Sequence, residues 1–304
     1  MDGILAVWKP EGWTSHDVVA KVRRILKMKR IGHAGTLDPM VTGVLPLCLG
    51  RATRVVEYVQ ERPKSYEAVL QLGIATDTED LTGTVIEQQA SVHVTDDEVR
   101  ETLNRFIGEI EQVPPMYSAV KVDGKRLYEL AREGKTVERK SRTVTIHGIE
   151  LIDTKLDLEH PQIRFSVICS KGTYIRTLCV DIGKALGVPA AMAQLTRTMS
   201  GGITKESCLT LEQIEELQLS GELDKHLIAA DDAITHLMSA TVPVSIGKLV
   251  LQGQKVSLTY GTSDDTKFED EQLIRLYNSD RNFLGIFKID LKAAVFKPVK
   301  VFSA

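Results

Sequence analysis

The chain has 304 residues, 43% of them hydrophobic and 26% charged, with a formal net charge of −3. This is the composition of a soluble globular protein that can bury a sizeable core, long enough for one large domain with a smaller one attached. No apolar stretch approaches the ~20 residues needed to cross a bilayer, and the four cysteines (Cys48, Cys169, Cys179, Cys208) lack any CxxC pairing, which argues against a membrane protein and a zinc ribbon alike.

The opening MDGILAVWKPEGWTSHD has no secretory pattern and no acylation motif, so a cytoplasmic location with reduced thiols is expected. Ile4 to Trp8 read as a short strand, and Ser15 is the expected cap of a helix whose Val18, Val19, Val22, Ile25 and Leu26 recur at helical spacing. Lys21, Arg23, Arg24, Lys27, Lys29 and Arg30 then fall on the outer faces of its second half, so the net negative charge is not spread evenly. A second basic cluster runs from Lys121 to Arg142, while acids gather in Glu206 to Asp232 and Asp264 to Glu271. Such separation lets one face of an acidic chain bind RNA phosphates.

The stretch RIGHAGTLDPMVTGVLPLCLGRATR, Arg30 to Arg54, packs Gly32, Gly35, Gly43, Gly50, Pro39 and Pro46 around one carboxylate, Asp38. Glycine admits positive φ, and a residue before proline is pushed out of the helical region, so Asp38 is expected on a turn that Val44, Leu45, Leu47 and Leu49 anchor to a buried element. Residue types alone favour reading Asp38 as an ordinary turn former over a catalyst.

Further on, Tyr66, Ala68, Leu70 and Leu72 alternate as in a half-buried strand, followed by the polar loop TDTEDLTG and a return strand GTVIEQ. Thr95 and Glu98 form a capping box for a helix with Val99, Leu103, Phe106 and Ile107 inward. In the second basic cluster Tyr117 and Tyr128 interleave with lysines and arginines. Ile163, Phe165, Val167 and Cys169 alternate, SKGTYIRT turns the chain, and a helix follows with Leu178, Ile182 and Leu186, ending at Gly187. Thr210 to Ile234 reads as helical and acidic, opened by a Thr210, Gln213 capping pair. Beyond Thr241 the runs VPVSIG, KLVLQGQKVSL, LIRLYN, FLGIFKID and PVKVF all read as short strands of a small barrel.

GHAGTLDPMVTGVLPLCLGRATR closely resembles the signature of TruB-type tRNA pseudouridine synthases, and WKPxGxTSxD, KSYEAVLQLGIATDTED, KGTYIRTL and AQLTRTMSGG resemble further motifs of that family. Val41 stands where the family usually has alanine, and Arg54 where lysine is more usual. The resemblance implies an α+β fold with a mixed, largely antiparallel central sheet. It places the catalytic domain at 1–238, an RNA-gripping insertion at about 114–142 and a PUA-like β-barrel at 239–304. It implies that Asp38 is the catalytic carboxylate, that His33 packs near the flipped base, and that Tyr66 stacks on the uracil and is considered as a proton acceptor. Tyr174 would line the pocket, Arg176 would pair with Asp38 and fix its orientation, and Leu195 would pack under the uracil ring. The implied reaction converts uridine 55 in the T loop of tRNA to pseudouridine. Breaking the N1 glycosidic bond, turning the base and rejoining it through C5 involves neither redox change nor group transfer, so no cofactor and no metal is expected. The expected partner is the tRNA T arm, bound by a monomer with no required protein partner. Two other classes fit the residues: a tRNA-binding folding factor, or a hydrolase using His33 and Asp38 as an acid and base pair.

Overall fold

The computed structural model describes residues 1–122, 124–263 and 267–303. Its centre is a nine-stranded mixed sheet. The main path runs from Gly3–Lys9 through Thr42–Leu49, Ala190–Ser200, Lys64–Leu72, Gln162–Cys169 and Arg142–Lys155 to Gly108–Gln112. The one parallel contact in it, Thr42↔Thr196 and Gly43↔Arg197, joins Thr42–Leu49 to Ala190–Ser200. The first half of that sheet is apolar on both faces because both are covered. Leu5, Val7, Leu45 and Leu47 meet Val18, Val19 and Val22 of the helix Ser15–Leu26, while Ile4, Ala6, Val44 and Cys48 meet Val55, Val59 and Ile234. The second half alternates as the sequence predicts. Tyr66, Ala68, Leu70 and Leu72 share a core with Phe165, Val167, Leu103 and the inward face of the helix Ile175–Ala185.

Strand Thr42–Leu49 decides where the signature loop sits. One edge pairs throughout with Gly3–Lys9; the other pairs first with Arg197 at Gly43 and then with Ile31–His33 at Leu47 to Leu49. Residues 34–41 therefore leave the sheet at the point where this edge changes partner, and Asp38 projects there.

Three local expectations are corrected. The N-cap of the first helix is Thr14, whose side chain accepts from the Asp17 amide while Asp17 reaches back to the Thr14 amide. Ser15 is thereby free to exchange hydrogen bonds with the Leu37 backbone, at 2.8 and 3.2 Å. Ile107 is exposed rather than on the inner face, because the helix stops at Arg105. VPVSIGKLVLQ is mostly helix, Val244–Leu251, where strands were expected. Pro243 stands at its N-cap, and Gly247 lets it approach Asn278 and Leu284 closely; a short apolar run does not itself choose between helix and strand. The other C-terminal runs are strands, in a five-stranded sheet ordered Met238–Val242, Leu273–Asn278, Phe283–Asp290, Val295–Val301, Val256–Ser257. It has its own core around Ile274, Leu276, Phe287 and Phe296, while Ile286 joins the core of the larger body. The acidic run Asp264 to Glu271 lies partly outside the described residues.

Candidate active site

Asp38 is held on a loop fixed from several sides. Ser15 bonds both backbone groups of Leu37, the Gly12 amide donates to the Pro39 carbonyl at 2.9 Å, and the Val41 amide closes a turn on the Asp38 carbonyl at 3.1 Å. The Lys9 ammonium also donates to Pro39 at 3.0 Å, and to the carbonyls of Pro10 and Trp13. Lys9 is fully buried. Burial pulls its pKa down to about 8, while the nearby Asp38 carboxylate works in the opposite direction.

The Asp38 side chain is half exposed, and Arg176 reaches it at 3.0 Å from the first turn of the helix Ile175–Ala185. That arginine is itself 7% exposed, so its orientation is set by what surrounds it. It donates to the Thr78 carbonyl at 3.0 Å and the Tyr117 carbonyl at 2.7 Å, and Asp80 stands 3.8 Å away. The loop bearing Thr78 and Asp80 is pinned in turn to the same helix. Glu79, at a positive φ of 65°, accepts from the Thr177 hydroxyl at 2.6 Å, and burial raises its carboxyl pKa. Gln112 fixes the start of the helix by accepting from the Tyr174 amide at 3.0 Å and donating to its carbonyl at 3.2 Å.

Tyr66, buried, lies in one apolar cluster with Leu37, Val41 and Ile175, and Leu195 packs against that cluster opposite Ala68. Asp38, Arg176, Tyr66, Tyr174 and Leu195 are thus drawn to one region by the signature loop, two sheet strands and one helix N-terminus. His33 sits on a strand paired to Leu47, and burial lowers its pKa. Asp38 takes Arg176 as its ion-pair partner.

Sequence reasoning missed the cations beneath the site. Arg197 is 1% exposed and donates from Nε to the Val44 carbonyl at 2.8 Å, with the carbonyls of Thr36 and Gly35 at 3.4 and 3.3 Å. Lys64 is buried and donates to the carbonyls of Gln60 and Arg62, and burial lowers its pKa to about 8. Lys9 and Lys64 carry no sequence signal separating them from surface lysines. Arg197 had one: it is two residues beyond Leu195 in a strand, hence nominally on the same face.

The exposed basic residues fall as the sequence suggests, with Arg23, Arg24, Lys125, Arg126 and Arg132 all open to solvent. Tyr128 is less free than expected, since the guanidinium groups of Arg126 and Arg132 lie 5.8 and 5.5 Å from its ring centroid. No helix among the described residues is long and apolar enough to cross a membrane.

Residues 23–175 match the model of the TruB family pseudouridylate synthase N-terminal domain, and residues 176–235 that of the tRNA pseudouridylate synthase B C-terminal domain. A tRNA pseudouridine synthase B of Oceanobacillus iheyensis is 48% identical over 100% of this chain and 98% of its own. One from Clostridium perfringens is 45% identical over 96% of both chains. Among solved structures, a chain of an H/ACA ribonucleoprotein bound to a substrate RNA containing 2'-deoxyuridine superposes with a TM-score of 0.78 at 26% identity. That match covers 99% of this chain and 85% of the other.

Proposed function

The chain belongs to the TruB family of pseudouridylate synthases, and from that premise we propose that it acts on uridine 55 in the T loop of tRNA, with Asp38 as the catalytic carboxylate. It is an enzyme that isomerises tRNA uridine to pseudouridine. The observation that carries the finer reading is the Arg176–Asp38 pair at 3.0 Å, a half-exposed carboxylate aimed by a buried guanidinium. Held in one orientation by that guanidinium, Asp38 serves as nucleophile or as charge partner to the ribose when the N1 bond breaks.

A uridine inside a folded loop does not reach that carboxylate, so the base is turned out of its stack and received by Tyr66 on one face and Leu195 below. Tyr174 lines the same recess, and His33 packs against the RNA loop. Residues 114–142 grip the T arm, their exposed Lys125, Arg126, Lys135 and Arg142 facing phosphate together with Arg23 and Arg24 of the first helix. The unit 239–304 acts as a PUA-like RNA-binding domain beside the catalytic unit 1–238. The protein works as a cytoplasmic monomer and uses no cofactor, since the reaction neither oxidises nor transfers a group to a second molecule.

The test is Asp38→Asn, which keeps size and turn preference. T-arm RNA retention on a filter should survive, while tritium release from C5-labelled uridine should be lost. Residual isomerisation within about tenfold of wild type, a barrier change of only about 1.4 kcal/mol, would show that Asp38 is not the catalytic carboxylate.

A further inference from the structure

Resting on that reading of the site, we propose that Arg197 is a positioning residue for the reaction: its guanidinium, locked to the loop that carries Asp38, holds the Tyr66 phenol and is its charge partner when the phenol oxygen takes the C5 proton.

Arg197 and Tyr66 are direct cross-strand partners in an antiparallel pair, which places their side chains on one face. The guanidinium is buried and, among the described residues, has no carboxylate partner; three backbone carbonyls take part of its donor capacity. A guanidinium carries five N–H donors, so donors remain on the sheet face that Arg197 shares with Tyr66. An unpaired buried cation is costly, and retaining one beside a buried phenol is explained if the phenol becomes its counter-ion during turnover. The carbonyls it holds, Gly35 and Thr36, lead directly to Leu37 and Asp38, so a single side chain fixes the carboxylate loop and the phenol relative to one another.

Burial raises the Tyr66 pKa, Arg197 opposes that rise, and Cys169 and Asp38 add to it. Lys64, close to both Arg197 and Cys169, and Lys9 and His33, each close enough to feel the Arg197 charge, are further ionisable groups here. Once the base has rejoined the ribose through C5, that carbon carries both C1' and hydrogen. The C5–H bond then breaks, its electron pair restores the C5–C6 double bond, N1 takes up a proton from water, and the C5 proton passes to the Tyr66 phenolate, whose own proton has already gone to solvent. A cation against the phenolate lowers the energy of the form that accepts the proton.

The experiment is single-turnover tritium release from C5-labelled T-arm RNA by the full chain, over a pH series, for wild type, Arg197→Met, Tyr66→Phe, the double variant, Arg197→Gln and Asp38→Asn. Arg197→Met should lower the rate at neutral pH by roughly tenfold or more and move the rising limb of the pH profile upward by roughly one unit, with RNA retention unchanged. In the Tyr66→Phe background it should cost much less than in wild type, only what loosening the Asp38 loop costs by itself. An unmoved limb, or losses that multiply in the double variant, would overturn the proposal. Should Arg197→Met lose its cooperative melting transition, Arg197→Gln keeps a donor without the charge: its limb should also move upward, and an unmoved limb overturns the proposal equally. If Asp38→Asn is inactive while Arg197 and Tyr66 do not couple, this inference alone fails; if Asp38→Asn isomerises normally, the reading of the site has failed first.

Discussion

Gly43→Ala tests the junction on which the site is built. Gly43 has φ 118° and pairs with Arg197 across the parallel contact between strands Thr42–Leu49 and Ala190–Ser200. A Cβ there would stand 2.2 Å from the Arg197 carbonyl oxygen and 2.7 Å from its amide nitrogen, and neither is a flexible side-chain end that could swing aside. Two costs add. Forcing a side chain into that backbone region costs on the order of 1–3 kcal/mol, and separating two packed strands enough to admit a methyl costs on the order of 1–3 kcal/mol more. Gly12→Ala is the matched control, because Gly12 also has positive φ, at 80°, but a Cβ on it meets nothing within 4 Å. Its loss should be only about 1 kcal/mol. Thermal denaturation should therefore show Gly43→Ala lower than wild type by roughly 5–20 °C, and Gly12→Ala by only a few degrees. Single-turnover isomerisation should fall in Gly43→Ala even well below its transition, since the Arg197 backbone moves with the strand that must yield. Equal melting temperatures for the two variants would refute the argument that close approach, rather than φ alone, requires glycine at Gly43.

The buried lysines make a prediction of opposite sign to the usual loss of stability in alkali. Burial depresses the Lys64 pKa in the folded protein from its ordinary 10.5 to about 8, so between those values the unfolded chain binds the extra proton and stability rises with pH. Urea denaturation at pH 7.5 and 10 should show wild type gaining relative to Lys64→Met over that interval; a constant difference would mean that Lys64 is not depressed. Charge reversal at Arg23 and Arg24, or at Lys125 and Arg126, should weaken T-arm binding and flatten its slope against log salt. Unchanged slopes in both variants would place the RNA on another face.

Much of the molecule could be read from short stretches because the relevant preferences are local. The alternation of Tyr66 to Leu72 and of Ile163 to Cys169, the capping boxes at Thr95 and Thr210, and the helix stop at Gly187 each depend on neighbours a few residues away, and each is found in the structure. Asp38 was singled out by the density of turn-forming residues around it and by resemblance, and its pairing with Arg176 followed from the resemblance rather than from any spacing. What sequence could not supply is decided by contacts between distant segments. Thr14 displaces Ser15 as the cap because Ser15 is claimed by Leu37, 22 residues on. Val244–Leu251 becomes helical because the sheet beside it offers a surface to one face of a helix, a choice that an apolar run leaves open. Lys9, Lys64 and Arg197 carry polar names, yet the fold buries them, since the backbone carbonyls that turn away from regular hydrogen bonding around residues 10–13, 35–44 and 60–62 must find donors from elsewhere in the structure. Burial of a cation against carbonyls from other segments is set by where the chain crosses itself, and that is a property of the tertiary structure alone.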